Sequence, residues 1–409
     1  MADLARPVAR AVTSLYALVC CGALVGCAAE PAPPPAAPRP PAALPVHSTF
    51  ADTTESPRPA LAQSSDALER TLSDACGESD AALRSVASQL LEQRTEATTE
   101  LDVDAIQYDL RAAGAPYVWP RAWLFTGGEG ELETARTRMT HWLAGFAVGG
   151  TRRCGIAVRH DTGGHLTVAA IAVDALADLD PTPTRVRVGS WIDVRAVLRV
   201  PASDAKLVIL GPRGVPHAVP TSFSDGRVQA RFNADQPGTW LVQLLAAVDG
   251  GPRPLLEALV FAGTEPPTHA TTAKAPGENG AQQGSEPRAA LYAMLNAARQ
   301  SERLQPLRVE PRLEELAQAH AEAMRRARRT AHDAGDGDLN QRVEQAGLEL
   351  AAGENVAHAA SAALAQRALW SSPSHRENLL FPGFDLVGVG VAADPDGTLW
   401  VCQVFASSR

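Results

Sequence analysis

A chain of 409 residues, 45% of them hydrophobic, is long enough for two or three domains and apolar enough to fill their cores. A formal net charge of -9 with a pI near 5.6 gives no electrostatic case for nucleic-acid binding.

The first segment bears on the compartment. Arg6 and Arg10 precede an apolar run from Val12 to Val25 that is too short to span a bilayer permanently, so residues 1–26 read as a secretory signal peptide. Leu24-Val25-Gly26-Cys27 resembles a bacterial lipobox. The resemblance implies cleavage before Cys27 and acylation of its thiol, with the chain held to a membrane by palmitate-like chains. The competing reading, a buried Cys in an apolar helix, fits poorly because Pro/Ala-rich sequence follows at once. Ala28, where Asp would mark inner-membrane retention, resembles lipoproteins sent to the outer membrane of a diderm host. Residues 27–60 are Pro/Ala-rich with few large apolar side chains and read as a semi-rigid tether.

Cysteine use agrees with export. Cys20 and Cys21 leave with the signal and Cys27 is taken by lipid, which leaves Cys76, Cys154 and Cys402. Any pair of these is open. Cys76 with Cys154 is preferred, because both fall in one candidate domain in an oxidising compartment, and Cys402 then reads as a buried apolar thiol on a strand.

Residues 61–180 read as an α/β domain. Helical periodicity runs through Leu83, Val86, Leu90 and Leu91 and again from Ile106 to Ala113, followed by strands over Gly155–Val158 and Leu166–Val173. Two readings stay open: an unrelated α/β domain, or a degenerate copy of the C-terminal domain. For the copy, Leu110-Arg111-Ala112-Ala113-Gly114 resembles Val343-Glu344-Gln345-Ala346-Gly347, and Gly114 to Gly155 spans 41 residues, as does Gly347 to Gly388. Arg121 stands where the copy would need an acid, so such a copy would be a scaffold without a site.

Residues 181–263 change to short runs of period two: Val186–Val188, Trp191–Leu198, Lys206–Leu210, Arg227–Phe232 and Trp240–Val248. They predict a β-sandwich, and Gln236-Pro237-Gly238-Thr239-Trp240 resembles the turn into a late strand of immunoglobulin-like modules. Residues 264–286, rich in Pro, Thr, Gly and Gln, read as a linker, and residues 287–409 as an independent C-terminal domain.

In that domain Pro287 opens a helix with Leu291, Met294, Leu295 and Ala298 on one face, and Pro311 opens a second with Leu313, Leu316, Ala317, His320, Ala321 and Met324. His320 on that stripe reads as a hydrogen-bonded core histidine. Arg325, Arg326, Arg328 and Arg329 complement the dipole at the helix end, with lipid or polyanion binding as the sharper alternative. Further helices are expected over Asp338–Ala346 and Ala359–Trp370, then a hairpin turning at Asp394-Pro395-Asp396-Gly397.

His332, Glu354 and His375 lie 22 and 21 residues apart, too far for a local motif. If the fold gathers them, two imidazoles and a carboxylate suit a divalent metal such as zinc. A dispersed His/Glu/His set also arises by chance in a chain with 10 His and many acids. Resemblance decides between these. Leu295-Asn296 with Arg299, Leu316-Ala317 through His320-Ala321 to Met324, His332, Gly353-Glu354-Asn355, Ser372-Pro373-Ser374-His375-Arg376 with Asn378, and Gly388-Val389-Gly390-Val391 together resemble a CAP domain. This is the SCP-like extracellular superfamily, here in its short bacterial form.

The resemblance implies an α-β-α sandwich with a cleft lined by two His and two acids, where some members bind zinc or another divalent ion. Position by position, His332 takes the first histidine, Glu354 the first acid and His375 the second histidine. The second acid is missing, since Ser371, Ser372 and Pro373 follow Trp370, and Glu377 lies too close to His375 to replace it. Asn355 and Arg376 are expected to hold the cleft loops. The implied function is a membrane-anchored cell-envelope binding module for a lipid, peptidoglycan or protein ligand. Alternatives are a metal-assisted hydrolase using His332, Glu354 and His375, for which the motif offers no separate general base, and a structural or adhesive envelope protein built on the β-sandwich.

Overall fold

The computed structural model describes residues 54–55, 66–93, 101, 103–267, 273–280 and 286–408, except 147, 162, 250 and 349. The expected signal peptide, Cys27 and nearly all of the tether lie outside them. A two-residue strand β1 (Thr54–Glu55) is the first described element.

In the first domain Asp66 caps α1 (Ala67–Cys76) by accepting from the Leu68 and Glu69 amides. There follow β2 (Glu78–Ser79), α2 (Ala81–Gln93), α3 (Val103–Ala112), β3 (Arg121–Gly128), α4 (Leu132–Ala144), β4 (Thr151–His160) and β5 (His165–Ala175). The sheet runs β2-β4-β5-β3, parallel at β2–β4 and antiparallel elsewhere. One face packs α2 and α3 through Leu83, Val86, Ile106 and Leu110, and the other packs α1 and α4 through Leu72, Met139 and Leu143. A Cβ on Gly155 would lie 2.0 Å from the Leu83 carbonyl carbon, so glycine is what lets α2 lie against β4. Cys76 and Cys154 are bonded, and Cys402 is a free, buried thiol. The predicted helices and hairpin are present. Strand β3 has no period-two signal, because Pro120 precedes it and two glycines end it.

The second domain holds β6 (Ala177–Leu179), β7 (Pro183–Val186), β8 (Ser190–Leu198), β9 (Asp204–Leu210), β10 (His217–Val219), β11 (Thr221–Ser224), β12 (Arg227–Ala234), β13 (Gly238–Val248) and β14 (Gly251–Ala262). Two sheets, β1-β7-β14-β13-β9-β10 and β11-β12-β8-β6, face each other across a core of Ile192, Val194, Leu207, Ile209, Phe232, Trp240 and Leu244. Four of the five predicted runs lie within strands; of Val186–Val188 only Val186 does, at the end of β7. Strand β14 went unpredicted, since Pro252 and Pro254 and the buried run Leu255–Glu257 break the alternation.

The third domain comprises α5 (Pro287–Ser301), β15 (Arg308–Val309), α6 (Pro311–Ala327), α7 (Leu339–Gln345), β16 (Ala352–Ala359), α8 (Ala362–Ser371), α9 (Pro373–Leu380), β17 (Leu386–Ala393) and β18 (Leu399–Ala406). Its sheet runs β15-β17-β18-β16, again parallel only at the short edge strand. Helix α6 packs on one face through Leu313, Ala317 and Met324, and α5 and α8 on the other through Leu291, Leu295 and Leu369. A Cβ on Gly388 would lie 2.1 Å from the Leu313 carbonyl carbon, which repeats the approach seen at Gly155. The two outer domains therefore share strand order, strand direction and helix layering.

Linker composition predicted an independent C-terminal domain, and its described residues also contact the second domain, as at Ser374 with Gln243 and Glu377 with Lys206. Glu278, within the predicted linker, is buried and ion-paired to Arg367 of α8. Composition reports that a segment lacks its own core, not whether the flanking domains have complementary faces. Among the described residues no helix is long and apolar enough to cross a membrane.

Candidate functional site

The site is assembled from a loop, a strand and a helix. The loop after α6 carries His332 and is held by His320, which is fully buried on α6. His320 Nδ1 lies 2.8 Å from Asp336 Oδ2 and Nε2 lies 3.0 Å from the Ala331 carbonyl, so the core histidine staples the loop at two points. Asp333 tightens the loop further, accepting from the Gly335 and Gly337 amides.

Glu354 sits on β16 opposite Val404 of β18, its side chain buried beneath that loop. His332 Nδ1 donates to Glu354 Oε1 at 2.8 Å, and Arg342 Nη2 of α7 donates to Oε2 at 2.7 Å. The Cys402 thiol donates to the same Oε2 at 3.4 Å. Burial alone would raise the Glu354 pKa, but the His332 hydrogen bond and the charges of Arg342, His320 and His332 outweigh it and hold the carboxyl below its usual range. The same burial, with the Glu354 charge beside it, pushes the Cys402 thiol well up. Sequence reasoning named His332 and Glu354 but missed Arg342 and Cys402 as partners of Glu354 and Asp336 as the partner of His320. Their signal was spatial, since α7 lies close to β16 only in the folded domain.

His375 is on α9. Its Nδ1 lies 2.8 Å from Ser372 Oγ, the residue that precedes the helix. Burial and the nearby His332 ring depress its pKa to about 4, so the ring is neutral over most of the pH range. Asn355, fully buried, donates from Nδ2 to the His375 carbonyl at 3.0 Å and accepts from Asn378 Nδ2 at 3.0 Å. It thus ties β16 to α9. Arg376 turns away from the acid: its guanidinium stacks 3.6 Å from the Trp370 ring centre and lies 3.6 Å from Glu302 Oε1, fastening α9 to α8 and to the end of α5. Arg299, also buried, caps α9 by donating to the carbonyls of Leu379, Phe381 and Phe384.

Strand β16 itself was not expected. Ala352-Gly353-Glu354-Asn355-Val356-Ala357 has little β-branched character, and its polar residues are buried by partners instead of alternating with solvent. Of the basic helix end, Arg328 pairs with Asp394 at 2.6 Å and Arg329 donates to the Asp333 carbonyl, so these cations serve the fold.

Residues 292–404 match the family model of the cysteine-rich secretory protein family, CAP. The C-terminal domain is a CAP domain. The family resemblance carried by its scattered motifs is thereby borne out. Similar solved structures include an outer surface protein of Borrelia burgdorferi, 21% identical, covering 31% of this chain and 97% of its own, with a TM-score of 0.29. An extracellular protein with an SCP domain from Bacillus anthracis is 17% identical over 57% of this chain and 86% of its own, with a TM-score of 0.28. A cysteine-rich secretory protein from Staphylococcus aureus is 14% identical over 53% of this chain and 78% of its own, with a TM-score of 0.26. No curated protein matched the chain.

For a metal, the donors among His332, Glu354 and His375 divide into two kinds. Among the described residues no group of three or more His, Cys, Asp or Glu is arranged to hold a metal ion, and both oxygens of Glu354 already have partners. The rings of His332 and His375 each use Nδ1 in a contact within the fold. With the proton on Nδ1, each presents the lone pair of Nε2, the form in which imidazole binds metals.

Proposed function

We propose that the protein is a lipid-anchored component of the cell envelope whose CAP domain is an extracytoplasmic binding module for a lipid, peptidoglycan fragment or protein. The carrying observation is the 2.8 Å contact of His332 with buried Glu354, beside His375 on α9. A buried acid that fixes one imidazole makes a rigid, polar recognition surface. The lipobox-like Leu24-Val25-Gly26-Cys27 and the tether behind it support an anchored, outward-facing placement.

The His332 and His375 Nε2 atoms would hold a divalent cation such as zinc, with Glu354 orienting His332 from behind, in the manner of carboxylate-backed histidines. Bound there, a zinc ion would supply a Lewis-acidic contact for an anionic or carbonyl group. Binding is favoured over hydrolysis, because the one buried acid is engaged by His332 and Arg342 and offers no spare oxygen as a general base. The β-sandwich, of the immunoglobulin-like kind suggested by Gln236–Trp240, acts as a spacer between the two outer domains. The first domain is a second copy of the same fold without the cleft, a reading supported by the shared sheet order and the matched Gly155 and Gly388.

The test is zinc stoichiometry. Calorimetric titration of the full chain with zinc should show binding that His332→Ala and His375→Ala each weaken at least about tenfold, since each removes one of two donors. Equal zinc binding by wild type and both variants would remove the metal from this reading.

A further inference from the structure

The β-sandwich does more than separate the outer domains, because it sits on the motif helix of the CAP cleft. Gly251, the first residue of β14, has no room for a side chain: a Cβ there would lie 2.9 Å from His332 Cβ. On β13, Gln243 Oε1 accepts from the Ser374 amide at 3.0 Å, and its Nε2 lies 3.3 Å from Ser372 Oγ, the hydroxyl in contact with His375 Nδ1. At the rim, Lys206 Nζ of β9 donates to Glu377 Oε2 of α9 at 3.1 Å. One sheet face thus touches His332 directly and His375 through a single hydroxyl.

Gln243 is held ready for this contact. It is fully buried and donates to Glu257 Oε1 at 2.6 Å, while Glu257 Oε2 is ion-paired to Arg111 of the first domain. A polar chain therefore runs from Arg111 through Glu257, Gln243 and Ser372 to His375, across all three domains. These contacts to the cleft are hydrogen bonds and an ion pair, the composition of interfaces that open and close.

We propose that the sandwich is a built-in cover for the CAP cleft. Docked, it covers part of His332, whose side chain keeps 23% of its surface exposed, and part of the half-buried His375. A ligand or metal reaches them when the contacts of Gln243 and Lys206 with α9 release. This rests on the reading of the cleft as a binding site, but the cover can be tested apart from it.

The experiment measures the rate at which diethyl pyrocarbonate modifies each histidine of the full chain, by peptide mass spectrometry, with exposed His165 and His217 as internal references. Gln243→Ala removes the central contact. Lys206→Glu places like charge opposite Glu377 at an exposed rim and leaves the core untouched, and Lys206→Glu with Glu377→Lys restores the pair. The cover predicts that both single variants speed modification of His332 and His375, by about threefold for the rim variant, with the swap returning it to the wild-type rate. Rates at the two cleft histidines that stay equal to wild type in both variants would overturn it. Zinc titration of the same proteins separates the two readings. Faster modification with tighter zinc binding supports the cover. Faster modification with weaker zinc binding makes the sandwich part of the site and overturns the cover. Faster modification with no zinc binding in any protein leaves the cover standing and removes the metal.

Discussion

Glu354 shows how much one buried carboxylate depends on its partners. A charge taken out of water is tolerated when its oxygens are filled, here by His332 on one and by Arg342 and Cys402 on the other. His375 is the opposite case, a ring kept neutral by burial. Its folded pKa of about 4 lies below the unfolded value near 6.5, so the unfolded chain takes up this proton first as pH falls. The stability this confers is complete above pH 6.5 and is lost as pH drops towards 4. Urea denaturation at steps between those values should show wild type losing stability faster than His375→Gln. Parallel losses in the two proteins would mean that other groups carry the whole acid sensitivity.

At the scale of elements, the glycines whose matched spacing suggested a repeated domain turn out to set the distance between layers. Gly388 and Gly155 each let a helix backbone lie directly on a strand, with a missing Cβ 2.1 and 2.0 Å from a carbonyl carbon. Neither obstacle is a flexible side chain, so a larger residue must push the helix away. Gly388→Val and Gly155→Val should each destabilise by about 3 kcal/mol or more, read from chemical denaturation. A loss under about 1 kcal/mol would show that the layers can separate without penalty. Helices α5 and α6 were legible because their apolar stripes repeat at helical spacing behind a proline. Strand β16 was not, because its buried polar residues carry no period of two.

For the molecule as a whole, polar contacts join the described residues of the three domains. Arg111, Glu257, Gln243 and Ser372 link the three domains, and in the proposed reading residues 27–60 would tether them to a membrane. Cys27→Ser should release the protein from membranes on fractionation, since one thiol carries the acyl anchor in this reading. Retention of the variant in the membrane fraction would place the anchor elsewhere in the chain.

By itself the sequence determined the family of the last domain and the helices and strands with a clean period. Such information is local: residue types at fixed offsets and stripes set by the geometry of a helix or strand. Only the tertiary structure decided that Arg342 and Cys402 fill the acid, that α9 begins at Pro373 under a sheet of another domain, and that Gly251 closes on His332. Those facts depend on contacts between segments as much as 171 residues apart, as with Lys206 and Glu377. No spacing rule reaches across such an interval, because complementary faces are chosen by packing and desolvation, not by periodicity along the chain.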